Sequence, residues 1–408
     1  MPVTDPTDRA RAVRASQSPS AIVQALGDAS PGVARAAIRR LVELEGSRAA
    51  DVLRARLLVA DLSLVTDVAS ALHEMGDTAA VEIAIDGLTD ELYTRRLAAA
   101  RALGVLGDRR AVGSLSQALH DRIAGVRAAA LTALAKLEPD EGTARECSEL
   151  LSDLDAQVRI AAVRTIVRIA PRSSAALAPL AEDEDCLVRL EVARHVAELP
   201  EHPATRLFAD TDMAVRQAAA LGAGGRQAVA LARLLAADPS SDVRRAAART
   251  LGTIDPGMGT HALLCGIEDP DAIVRATVLH ALERSLTRAG AVARLSRELI
   301  SSRPQRRRWS VYALAHLRAF EASSEVWRLA DDPEPDVRLA LIQAASVLMP
   351  QPEPLLLYMA TDPDRAVKDS ARSWIARVEV EKSAERGGSM AAANVDRERD
   401  CHAECGQP

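Results

Sequence analysis

Apolar residues recur along this chain in a register that repeats about every 30 residues. Counted from an anchor that is usually Val, offsets 0, +4, +5, +8 and +11 are mostly apolar. At residues 126–137 they are Val126, Ala130, Leu131, Leu134 and Leu137. This spacing lays one apolar stripe along one face of an α-helix. Twelve anchors share the register: Val33, Leu64, Arg95, Val126, Val158, Val188, Val215, Val243, Val274, Arg306, Val337 and Val367. Their eleven intervals run from 27 to 32 residues. Each interval has room for the anchored helix, helix B, and a shorter helix A such as 111–119. An Asp-rich turn then leads into the next helix B. Gly76 and Gly107 fall just past two B helices, where a left-handed C-cap is expected. No stretch alternates as a strand would.

The polar positions repeat as strictly as the apolar ones. The phrase reads DRIAGVRAAALTAL from Asp121, DLDAQVRIAAVRTI from Asp153 and DPSSDVRRAAARTL from Asp238. Asp stands five residues before the anchor in ten of the twelve copies, with Val59 and Ser301 as exceptions. Arg follows the anchor in nine copies and Lys368 in one, while Ala34 and Val65 depart from the pattern. The Asp is expected to accept hydrogen bonds from free amides near the start of helix B. At a fixed offset, Asp and Arg are expected to form a ladder of ion pairs along the stack. Pro239, Pro270, Pro333 and Pro363 suit a turn or a first helical position. A period near 30 with two helices per unit predicts an α-solenoid.

The Asp-x4-Val-Arg-x-Ala-Ala phrase resembles HEAT-like repeats. The similarity is to the short form found in phycobilisome-lyase-type (bilin lyase E/F subunit) and related bacterial proteins. It implies an all-α fold: a right-handed superhelical α-solenoid of about twelve helix pairs over residues 17–380. B helices would line its concave side. Residues 1–16 are expected to be a flexible segment, and 381–408 a disordered tail. The copies at Leu64 and Arg306 fit by register alone.

Composition agrees with thin helical layers. Eight of 408 residues are aromatic, and about a fifth are alanine. Helices lined by small side chains approach closely and need little aromatic filler. The net charge of −6 and pI near 5.9 argue against a dedicated DNA binder. Residues 1–20 carry no signal-like apolar run, and no stretch of 18 apolar residues exists, so no membrane partner is expected. Five scattered cysteines favour a reducing cytoplasm.

Chemistry is sparse. Deoxyhypusine hydroxylase has a similar architecture and binds iron through repeated His-Glu pairs, but this chain has only His73-Glu74. Cys401, His402 and Cys405 lack a second ligand pair nearby. No catalytic, cofactor-binding or metal-binding residue is assigned. Two surface features point to binding. Offset +6 on helix B gives a column containing Arg39, Arg101, Arg164, Arg194 and Arg249. The second is local: residues 284–318 hold nine arginines and one acid, Glu298. Its centre is Arg303, Arg306, Arg307, Arg308, Trp309 and Tyr312. Six of the eight aromatics lie in the last quarter. The reading is a non-catalytic cytoplasmic scaffold or adaptor whose groove takes a protein partner with an acidic surface. Two other readings stay open: a bilin-lyase-type or other enzyme accessory factor, and nucleic-acid binding through 284–318.

Overall fold

The computed structural model describes residues 5–59, 62–137, 140–254 and 256–377. The chain divides into two compact units, Met1–Gly222 and Ala223–Pro408. Among the described residues every regular element is helical, and the architecture is an α-solenoid of HEAT-like helix pairs. In the first unit the B helices include Pro31–Glu45, Val65–Glu74, Tyr93–Leu106, Ala124–Leu137, Ala156–Ile169 and Cys186–Ala193. In the second they include Ser241–Leu251, Ala272–Ser285, Pro304–His316 and Pro335–Leu348, with a further helix over 365–377. Within a unit most B helices pack on the next, the pair Ala272–Ser285 and Pro304–His316 being the exception, and helix A lies against the B helix that follows it.

The first unit begins earlier than the repeat phrase suggests. Where a flexible segment was expected, Pro6–Ala15 is a helix capped by the Asp5 carboxylate. Its Ala10 and Val13 pack against Val33 and Ala36 of the first B helix. So few apolar residues on so short a helix leave little periodic signal, which is why the polar sequence hid it. Residues 381–408, the expected tail, lie outside the described residues, as do Cys401 and Cys405.

Small residues set the spacing between B helices. The anchors Val126 and Val158, with Leu131, Leu134 and Ile166, are fully buried. Each such side chain contributes roughly 1.5–3 kcal/mol by leaving water. Phe208 is the one buried aromatic among the described residues. A Cβ on Gly104 would sit 3.0 Å from the Ala133 Cα, and one on Gly252 would sit 2.6 Å from the Ala281 Cβ. Gly76 and Gly107 have φ of 69° and 74°, the left-handed C-caps expected of them. Arg318 takes the same conformation at φ 49° without being glycine.

The Asp–Arg ladder exists, and its rungs join one helix pair to the next. In each rung the Arg grips the following pair's Asp with Nε and Nη2. The rungs are Arg96–Asp121, Arg127–Asp153, Arg159–Asp183 and Arg189–Asp210 in the first unit. In the second they are Arg244–Asp269, Arg307–Asp332 and Arg338–Asp362. In Arg127–Asp153 both bonds are 2.7 Å. The third nitrogen, Nη1, donates to the carbonyl of the Arg's own turn, such as Asp121 O at 2.8 Å. The Asp itself holds the turn, because Asp153 accepts the N–H of Asp155 at 2.9 Å. The helix cap is that second acid: Asp155 accepts from Gln157 and Val158. So the repeated Asp acts two residues upstream of the cap position expected for it. Arg9, in the unexpected first helix, supplies a rung to Asp28 with two bonds of 3.0 Å.

Burial pushes the Asp153 carboxyl up, and the Arg127 guanidinium with the Asp155 N–H outweighs it. The net position lies below the usual carboxylate range, as it does for Asp121, Asp210 and Asp362. Such paired, fully bonded charges tolerate burial that a lone charge would not.

Candidate partner-binding faces

The +6 column is exposed, but its arginines do not share one state. In the first unit, Arg164 and Arg194 both reach the buried Glu191, at 2.9 and 2.8 Å. Hydrogen bonding to Glu191 raises the Arg164 pKa. These two arginines therefore neutralise a buried carboxylate as well as facing solvent. Arg39 differs. It borders a recess of about 430 Å³ with Arg14, Arg35 and Arg40. There Arg35 pairs with Asp67, and Arg40 pairs with Glu43.

Arg101 has another setting. It borders a recess of about 500 Å³ on the faces of Val65–Glu74, Tyr93–Leu106 and Ala124–Leu137. The wall is Leu97, Ala100, Gly104, Ala128, Ala129, Ala133 and neighbouring Ser and Thr side chains. Lys136 stands at its edge as a second exposed cation. Among the described residues no carboxylate lines it. Arg101 touches the Leu62 carbonyl at 3.4 Å, and neither cation has a carboxylate partner among the described residues. The sequence reading missed Lys136 because it lies outside the +6 column. Its rarity, one of three lysines, was the available signal.

In the second unit, Arg249 is exposed on Ser241–Leu251. The dense patch in Pro304–His316 is largely neutralised by its neighbours. Arg303 and Arg306 share Glu268, at 3.3 and 2.8 Å, and Arg306 also reaches Glu298 at 3.5 Å. Arg307 is a ladder rung to Asp332, and Arg308 reaches Asp336 at 3.3 Å. Burial opposes the charge of Arg306, yet Glu268 and the Cys265 sulfur carry its pKa upward. A linear count found one acid near these arginines. The fold brings in Glu268, Asp332 and Asp336 from adjacent helix pairs.

Trp309 and Tyr312 stay together, ring centroids 5.3 Å apart. Tyr312 donates to the Gln343 side chain at 2.6 Å. The Arg275 guanidinium covers the Trp309 ring at 3.8 Å, and that of Arg308 lies at 5.4 Å. Arg275, Trp309, Tyr312 and His316 line a recess of about 200 Å³ with Ile267, Leu279 and three alanines. Sequence reasoning passed over Arg275, although the missing Asp at Ser301 was visible.

Other chemistry is thin. Among the described residues no three His, Cys, Asp or Glu side chains gather as metal ligands. His73 Nδ1 lies 2.9 Å from the Leu106 carbonyl, a structural contact between helix pairs. Burial pushes the Cys147 thiol up to about 12, so it is no nucleophile. No helix among the described residues is long and apolar enough to cross a membrane.

Residues 228–315 match the family model described as HEAT repeats. With the helix pairs and their ladder, this makes the chain a HEAT-like repeat protein. No curated protein matches the chain. Among solved structures, the CpcE–CpcF complex of phycocyanin lyase from Nostoc sp. PCC7120 is 25% identical, with a TM-score of 0.33. That match covers 58% of this chain and 94% of the other. An engineered protein is 19% identical over 92% of this chain and 99% of its own, with a TM-score of 0.33. Importin beta is 13% identical with a TM-score of 0.49, and covers 87% of this chain and 60% of its own.

Proposed function

We propose that this chain is a non-catalytic scaffold that binds an acidic protein segment along the B-helix face of the Met1–Gly222 unit, in the cytoplasm. The observation that carries the reading is the Arg101–Lys136 recess. Among the described residues its two cations have no carboxylate partner, and the apolar wall they border contains no acid. Most of the ladder and patch arginines, by contrast, are held by carboxylates. Unpaired positive charge over small side chains attracts an acidic partner and leaves room for its backbone to approach. Arg39 and its neighbours extend the positive character of this unit. The nucleic-acid reading loses support, because Arg303, Arg306, Arg307 and Arg308 all face carboxylates.

The test compares the wild type with the Arg101→Glu/Lys136→Glu variant in partner capture from native extract, at low and high salt. Circular dichroism establishes that the variant is folded. The expected result is loss of the salt-sensitive partner. Capture of the same partner by the folded variant overturns the reading.

A further inference from the structure

The ladder is interrupted at one place in the Ala223–Pro408 unit. Arg275 stands where every other helix pair of this unit up to Pro335–Leu348 carries a rung arginine. Its Nη1 donates to Asp269 O at 2.6 Å and Pro270 O at 3.0 Å. Arg244, one pair earlier, makes the same bonds to Asp238 O and Pro239 O, at 2.9 and 3.3 Å. The guanidinium of Arg275 is thus seated as a rung. What it lacks is the acceptor, because Ser301 replaces the Asp. The Ser301 hydroxyl keeps the turn by accepting the Arg303 N–H at 3.3 Å. It has no second oxygen to offer an arginine fork. No carboxylate pairs with Arg275 among the described residues. Trp309 instead covers one face of the guanidinium at 3.8 Å.

An aromatic ring on the face of a guanidinium leaves its N–H edge able to bind an in-plane acceptor. In the intact rungs Nε and Nη2 hold a carboxylate bidentately. We infer that the Arg275–Trp309 recess is a carboxylate-binding site, filled by an acidic side chain of a partner polypeptide in place of the missing Asp. The recess supplies the remaining chemistry: Leu279 and Ile267 for the methylenes, Tyr312 and His316 at the wall. Its volume of about 200 Å³ is below the roughly 300–1,000 Å³ of small-ligand sites, and suits a single side chain. This site does not depend on the Arg101–Lys136 reading, and either can fail alone.

The test uses the full chain carrying Trp327→Phe and Trp374→Phe, so that emission reports Trp309. The probes are acetyl-Leu-Glu-Leu-amide, its Gln counterpart and free glutarate. The Glu peptide should change the emission saturably, and the Gln peptide should bind at least tenfold more weakly. Ser301→Asp restores the internal rung. It should keep or raise the melting temperature, shift the Trp309 emission and abolish the peptide response. Arg275→Gln should abolish the response in a folded protein. The site is overturned if the Glu peptide gives no response, if Gln binds equally, or if Ser301→Asp binds like the wild type. Glutarate binding as tight as the peptide would overturn the polypeptide assignment.

Discussion

Arg244 and Arg275 occupy the same place in successive helix pairs, yet they end differently. Arg244 holds Asp269 with bonds of 2.7 and 3.0 Å. Arg275 meets Ser301 where the acid should be, and covers an indole instead. The difference teaches that the ladder has two separable parts. The Nη1 contact to the arginine's own turn is local and survives the loss of the acid. The bidentate grip belongs to the next pair and disappears with it. A repeated motif therefore marks stacking where it is complete, and available chemistry where it is broken.

Removing a complete rung should have the largest effect. Arg159 and Asp183 side chains are 8% and 6% exposed, so Arg159→Ala strands a buried carboxylate and should cost about 3–5 kcal/mol. Arg275→Ala loses a stacking contact and should cost about 1 kcal/mol. Urea unfolding of the two variants checks the ratio, and equal losses would break the comparison.

Helix spacing comes next. Gly252→Ala drives a Cβ into Ala281 of the neighbouring B helix and should cost about 1–3 kcal/mol, read as a lower melting temperature.

Acid titration then separates rung from gap. Asp121, Asp153, Asp210 and Asp362 have folded pKa values below their ordinary value. Their stabilisation is complete above the unfolded carboxylate pKa, about 3.9, and is lost as the pH falls through the lower folded values. Unfolding midpoints should be level above about pH 5 and then decline. The penalty of Arg127→Ala should shrink in the same acid range. That of Arg275→Ala should not.

Arg318→Gly relieves a left-handed residue that Gly76 and Gly107 avoid, and should gain about 1 kcal/mol in urea unfolding. Smallest of all, Arg101→Glu/Lys136→Glu should change stability by less than about 0.5 kcal/mol, because both side chains are exposed.

Much of the fold was legible because helical periodicity and the repeat phrase carry local physics. The anchors mark the buried stripe: Val126, Val158 and Val337 are all fully buried. The Arg306 register proved sound, since Arg307 makes a rung. The helix Pro6–Ala15 was illegible because its apolar seat is only Ala10 and Val13 on Val33 and Ala36, and its rung from Arg9 to Asp28 lies outside the repeat phrase. The candidate site was less legible. Charge counted along the chain treated Arg306 and Arg307 as a free patch, whereas Glu268 lies 38 residues from Arg306 and Asp332 lies 25 residues from Arg307.

By itself the sequence determined the repeat, the helix pairs and the residues that make the ladder, because a stripe at 3.6-residue spacing and a turn acid act within one segment. The tertiary structure alone decided which arginines keep their charge available. That depends on which carboxylate the neighbouring helix pair brings within 3 Å. Arg307 lost its availability this way, whereas among the described residues no carboxylate pairs with Arg101, with Lys136, or with Arg275 beside Trp309.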